Sequence, residues 1–155
     1  MYTPNNPPQI DDELLPALIA ASWDEFDKLV EVFNSLDSGI KALRLDVAFD
    51  TASIATGVSM GTVPDRAIIL PHHVNVTAAF NAATTNVLIV GTATDDNHYV
   101  AAGDVDETTI AFTSNITTGC EEVAAVTEIL VQFTETGTAA TTGAATVIIP
   151  YLIDY

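Results

Sequence analysis

Three histidines, one cysteine and two knots of acidic residues are the side chains that could do chemistry in this 155-residue chain. His72 and His73 are adjacent in "LPHHVNVTAAF". In an extended strand, neighbouring side chains point to opposite faces, so the pair cannot grip one metal ion. A structural role is the stronger expectation for both. His98 sits in "TDDNHYV" and reads as a loop residue. The acids Asp95 and Asp96, followed by Asn97, and then Asp104, Asp106 and Glu107 supply the oxygen ligands that Ca²⁺ prefers. Their spacing fits neither an EF-hand nor a nonapeptide repeat, and Asp and Asn also favour turns for conformational reasons. Turn chemistry is the expectation, with ion binding at Asp95, Asp96 and Asp104 left open. Cys120 has no cationic neighbour in sequence to lower its pKa, and it is expected to be a small core residue.

Walker A, G-x-G-x-x-G, H-E-x-x-H and C-x-x-C do not occur, and G-x-S-x-G occurs once, as Gly57-Val58-Ser59-Met60-Gly61, with no helical pattern after it to form the strand-to-helix turn of a nucleophile elbow. The sequence nominates no catalytic, cofactor-binding or metal-ligating residue, and a non-enzyme is expected. Charge narrows the partners. Four Lys+Arg face 21 Asp+Glu, a formal net charge of −17. All four cations, Lys28, Lys41, Arg44 and Arg66, precede residue 67. Nucleic acid and anionic membrane are thereby rejected as partners, because both need cations. A single cysteine cannot form an intrachain disulfide, and the N-terminus lacks the basic and apolar regions of a signal peptide. The expectation is a cytoplasmically made, soluble chain.

The elements that must position these residues fall into three regions. Residues 1–12 read as an extended arm, with Tyr2, Pro4, Pro7, Pro8 and Ile10 as anchors, because "MYTPNNPPQI" suits polyproline-like backbone rather than helix. Residues 13–38 read as one amphipathic helix, opened by Asp11 and Asp12 and stopped at Asp37-Ser38-Gly39. Ile19, Phe26, Phe33 and Ile40 recur every seven residues, interleaved with Leu15, Leu29 and Leu36. That is an a/d seam over about three heptads, interrupted at Ser22 and roomy enough at its two Phe for a trimer. Leu14, Leu18, Trp23 and Val30 widen the apolar face, so packing on its own domain is the competing reading.

Residues 43–155 turn to β pattern: a mainly-β domain, a β-sandwich or jelly roll. "LRLDVAF" alternates Leu43, Leu45, Val47 and Phe49 on one face. "RAIILP" and "HHVNVTAAF" meet at Pro71, where a bend or an edge is expected. "TNVLIVGTA" is a continuous apolar run suited to burial on both faces. "TTIAFTS", "AAVTEILVQFTETG" and "GAATVIIPYLIDY" complete the set, and "GCEEVAAVTEI" could open with a helical turn. "AATTNVLIV" (82–90) and "AATTGAATVII" (139–149) echo each other and are expected to be hairpins with similar turns.

The stretch "ILPHHVNVTAAFNAATTNVLIVGTATDDNHYVAAGDVD", with "VTEILVQFTETGTAATTGAATVIIPY", resembles small structural proteins of tailed bacteriophages. The shared features are an A-F-N-x-x-T-T-N-x-L-x-V-G-T unit, a V-A-A-x-D-V-D loop and a final small-residue turn before an apolar strand. The Y-x-P-x-x-P-P start is similar to anchoring segments of virion appendages. The resemblance implies a head decoration (cement) protein or short head fibre, trimeric on a jelly roll, with major capsid or other virion proteins as partners and the capsid surface as its location. The alternative is a fibre module that binds a receptor or carbohydrate, for which Tyr99, Tyr151 and Tyr155 are the candidate aromatic platforms.

Overall fold

A computed structural model describes residues 39–153 of the chain. The arm at 1–12, the helix at 13–38 with its whole seam, and Tyr155 lie outside the described residues. Eight strands run in order: β1 (Ile40–Ala48), β2 (Val58–Val63), β3 (Ile68–Ile69), β4 (His72–Ala78), β5 (Thr85–Gly91), β6 (Phe112–Ile116), β7 (Thr127–Thr136) and β8 (Ala144–Leu152). They form two antiparallel sheets. Sheet A has the order β1-β8-β4-β6, with β3 pairing β8 ahead of β4, and sheet B has the order β2-β7-β5.

Alternation explains which residues face inward. In β7 the buried set is Ile129, Val131 and Phe133, and in β8 it is Ala145, Val147, Ile149 and Tyr151. Residues from both sheets belong to one hydrophobic cluster, so the sheets are two layers over a common core. Leu43, Leu45 and Phe49 pack against that cluster as their alternation required, though only partly buried. Leu88, Ile89 and Val90 of β5 are all buried, the pattern expected of the "NVLIVG" run. Pro71 falls between β3 and β4, both of which pair with β8, so the proline interrupts one pairing edge. The segment before β7 is a series of turns and bends, with no helical turn.

The two echoing segments are not hairpins. Residues 79–84 carry the chain from sheet A to sheet B, and residues 137–143 carry it back. The crossovers lie side by side because their turn residues bond each other. Asn81 Oδ1 accepts the Thr141 and Thr142 amides at 2.8 and 3.1 Å, and the Ala83 amide donates to the Thr138 carbonyl at 3.0 Å. Gly143 has φ of +146°, and a Cβ there would lie 2.2 Å from the Phe80 ring. Only glycine allows that ring to close over the crossover and pack, tilted, on Phe133 at 4.4 Å.

Candidate functional site

The acids singled out by sequence build loops. Asp104 Oδ2 accepts the Ala101 amide at 2.9 Å, and Asp106 accepts the Thr108 amide and the Thr108 and Thr109 hydroxyls at 3.0, 2.7 and 2.8 Å. These bonds, those of Thr108 first, hold the Asp106 carboxyl below its ordinary pKa. Glu107 is buried, and its Oε1 accepts the Leu88 amide of β5 at 2.7 Å. Burial pushes the Glu107 carboxyl up, against the Leu88 hydrogen bond. Among the described residues, no group of three His, Cys, Asp or Glu is arranged to hold a metal ion.

His72 and His73 do face opposite ways. His72 is wholly buried, its Nε2–H donates to the Thr118 carbonyl at 2.6 Å, and its ring meets the Tyr99 edge at 5.8 Å. Burial, the largest influence, lowers the His72 pKa against the pull of Thr118. His73 is half-buried and stacks on the exposed ring of Phe112 at 5.6 Å. Cys120 departs from expectation: it is exposed, its Sγ 3.9 Å from the Ile116 carbonyl. It lies in a turn beside Gly119, whose φ is +67°, and no strand carries it inward. Desolvation raises the thiol's pKa, the wrong direction for a nucleophile.

His98 is the residue whose setting the sequence hid. Gly91 ends β5 so tightly that a Cβ would lie 2.1 Å from the Asp95 carbonyl oxygen. The chain then turns through Thr92–Asp95 and returns to β5, with the Tyr99 amide donating to the Val90 carbonyl at 2.8 Å. On the other side, 121–123 pairs with 66–69 through Arg66 to Val123 (2.7 Å), Val123 to Ala67 (2.8 Å) and Ile69 to Glu121 (2.9 Å). His98 spans these two loops. Its Nδ1 lies 3.2 Å from Asp95 Oδ2 and its Nε2 lies 2.8 Å from Glu121 Oε1.

A neutral imidazole has one N–H, so two carboxylate contacts call for the imidazolium. Desolvation pulls the His98 pKa down, but Glu121 and then Asp95 outweigh it, and the net shift is upward from 6.5. With both nitrogens occupied, the ring is a clamp between loops and not a free acid, base or ligand. It borders a groove of about 420 Å³ that Thr92, Thr94 and Glu122 also line. No local motif announces the Glu121 partner, which lies 23 residues on in sequence. The aromatic platforms fail on exposure: Tyr99 and Tyr151 are 3% and 8% exposed. Neither offers a ring to a sugar, which corrects the expectation for those two residues.

No family model and no curated protein matches this sequence. Solved structures do. A chain of the cyanophage Pam1 capsid asymmetric unit superposes with a TM-score of 0.57 at 23% identity, over 74% of this chain and 85% of that one. A chain of the acid-stable capsid of Helicobacter pylori bacteriophage KHP30 gives 0.57 at 11% identity, over 74% and 88%. One from the capsid of Ralstonia phage GP4 gives 0.48 at 17% identity, over 75% and 85%. At these identities the first two share a fold with this chain, and they share it over most of both lengths.

Proposed function

We propose that this chain is a structural protein of a tailed-phage virion: a homotrimeric decoration, or cement, protein that binds and stabilises the head shell. The observation that carries the reading is the fold shared with chains of two phage capsids over most of each chain. The strand orders support it further. An eight-stranded jelly roll consists of two Greek keys folded into two sheets. Here β1-β8-β4-β6 faces β2-β7-β5, and Val100 bridges Val90 on the free side of β5 in place of a fourth strand.

In this reading residues 1–12 anchor the protein on the shell through Tyr2, Pro4, Pro7, Pro8 and Ile10. Residues 13–38 join three copies along Leu15, Ile19, Phe26, Leu29, Phe33 and Leu36, and the β-domain faces outward. Three linked arms retain a weak single-site contact by raising its effective concentration. The protein needs no cofactor for this role, and it takes its place on the shell in the host cytoplasm.

Two experiments test it. Deleting residues 1–12 should abolish co-sedimentation with particles that lack the protein, and undiminished binding would remove the arm from the mechanism. Phe26→Asp combined with Phe33→Asp should give monomers by light scattering. A double variant that stays trimeric would remove the helix from assembly.

A further inference from the structure

The outward side of sheet A is unusually apolar for so acidic a chain. Ile40, Leu152 and Ile68 are register partners across β1, β8 and β3, so they form one row on one face. Ile40 is 70% exposed, and the other two are half-buried. Pro150 and Ile148 continue the surface along β8, and His73 stands opposite Ile148. Two arginines lie on or beside this face, each with a carboxylate: Arg44, the register partner of Ile148, is 3.3 Å from Asp46, and Arg66 is 3.8 Å from Glu122. An apolar centre with a paired polar rim is the anatomy of a protein–protein interface.

We propose that this face, centred on Ile40, Leu152 and Ile68, is where the β-domains of neighbouring copies of this chain meet. The inference rests on the trimer reading above. Covalent geometry supplies the first argument. Leu36, the last seam residue, is four residues from Ile40, a reach of at most about 14 Å. Copies joined along that seam must therefore bring their Ile40 ends close to a common axis.

Charge supplies the second argument. Copies carrying −17 each repel, so they can meet only where carboxylates are few or compensated. Of the three cations among the described residues, Arg44 and Arg66 lie on or beside this face, whereas Lys41 follows Ile40 in β1 and falls on the other side of the sheet. The tether selects a second copy of the chain as the occupant, and the compensated charges allow its approach.

The test uses the full-length chain carrying Cys120→Ser and Ile40→Cys. Copper-catalysed oxidation should link copies through residue 40 at least about ten-fold faster than through Thr134→Cys, an exposed position on the outer side of sheet B. Close Cβ atoms are the requirement for a disulfide. A chain that is trimeric by light scattering but links no faster at 40 than at 134 overturns the inference and leaves the trimer standing. A chain that is monomeric at every concentration removes both. Independently, Ile148→Asp should raise the concentration at which the trimer dissociates by about ten-fold, equivalent to about 1.4 kcal/mol. An unchanged dissociation constant with an unchanged circular dichroism spectrum would also overturn it.

Discussion

The two sheets bury alike and expose differently. Inward, both present β-branched and aromatic residues to one core: Val74, Val147 and Ile149 from sheet A, Val90, Val131 and Phe133 from sheet B. Outward, β7 of sheet B shows Glu128, Leu130, Gln132 and Thr134, and Thr85 and Thr136 share a hydroxyl–hydroxyl bond of 2.7 Å across β5 and β7. The outer side of sheet A shows Ile40, Ile148, Pro150 and Leu152 instead. The inner layers make the fold, and both contribute to one core. The outer layers decide what each side can touch, and the proposed contact between copies uses the apolar one, on sheet A.

Substitutions on the three layers should separate these roles. The largest effect belongs to the core. Phe133→Ala removes a side chain that packs on Phe80, and it should cost about 3–5 kcal/mol in urea unfolding. Ile148→Asp should instead weaken assembly by about ten-fold while leaving the unfolding of the separated chain close to that of the parent. Thr134→Asp on sheet B should change stability by less than about 0.5 kcal/mol and leave assembly unaltered. If Thr134→Asp disrupted the proposed trimer as much as Ile148→Asp, the distinction between the two outer faces would collapse.

The histidines respond to acid in opposite senses. His98 has its pKa raised in the folded chain, so its stabilisation is complete below 6.5 and is lost as pH rises through the folded value. His72 has its pKa lowered by burial, so the unfolded chain binds the extra proton first. Stability from that residue is lost as pH falls through 6.5 towards the folded value. Proton NMR titration should show the His98 ring titrating above 6.5 and dropping in Glu121→Gln, while His72 titrates below 6.5 in both proteins. An unshifted His98 in Glu121→Gln would break the clamp. Since His98 is partly exposed, its contribution to stability is that of a surface pair, well below about 1 kcal/mol.

Strand positions were legible where period-two alternation was strong. "LRLDVAF" and "AAVTEILVQF" announce both their conformation and their buried face, and the opposed faces of His72 and His73 follow from the same period. The two small-residue crossovers were misread as hairpins because turn residues report a change of direction but not the sheet to which the chain goes next. Cys120 was misplaced for a related reason. A small apolar residue reads as core unless the backbone that carries it is known to be a surface turn.

Residue order and composition together determined the acidic, mainly-β character of the domain, the confinement of cations to its first part, and the use of Asp and Asn in turns. Tertiary structure decided which strands are neighbours. β1 pairs with β8, from opposite ends of the domain, so no local pattern could specify the pairing. The same pairing creates the Ile40–Leu152–Ile68 row, and loop packing creates the Asp95–His98–Glu121 clamp. Local periodicity fixes which way a side chain points, whereas only the closed fold fixes what it points at.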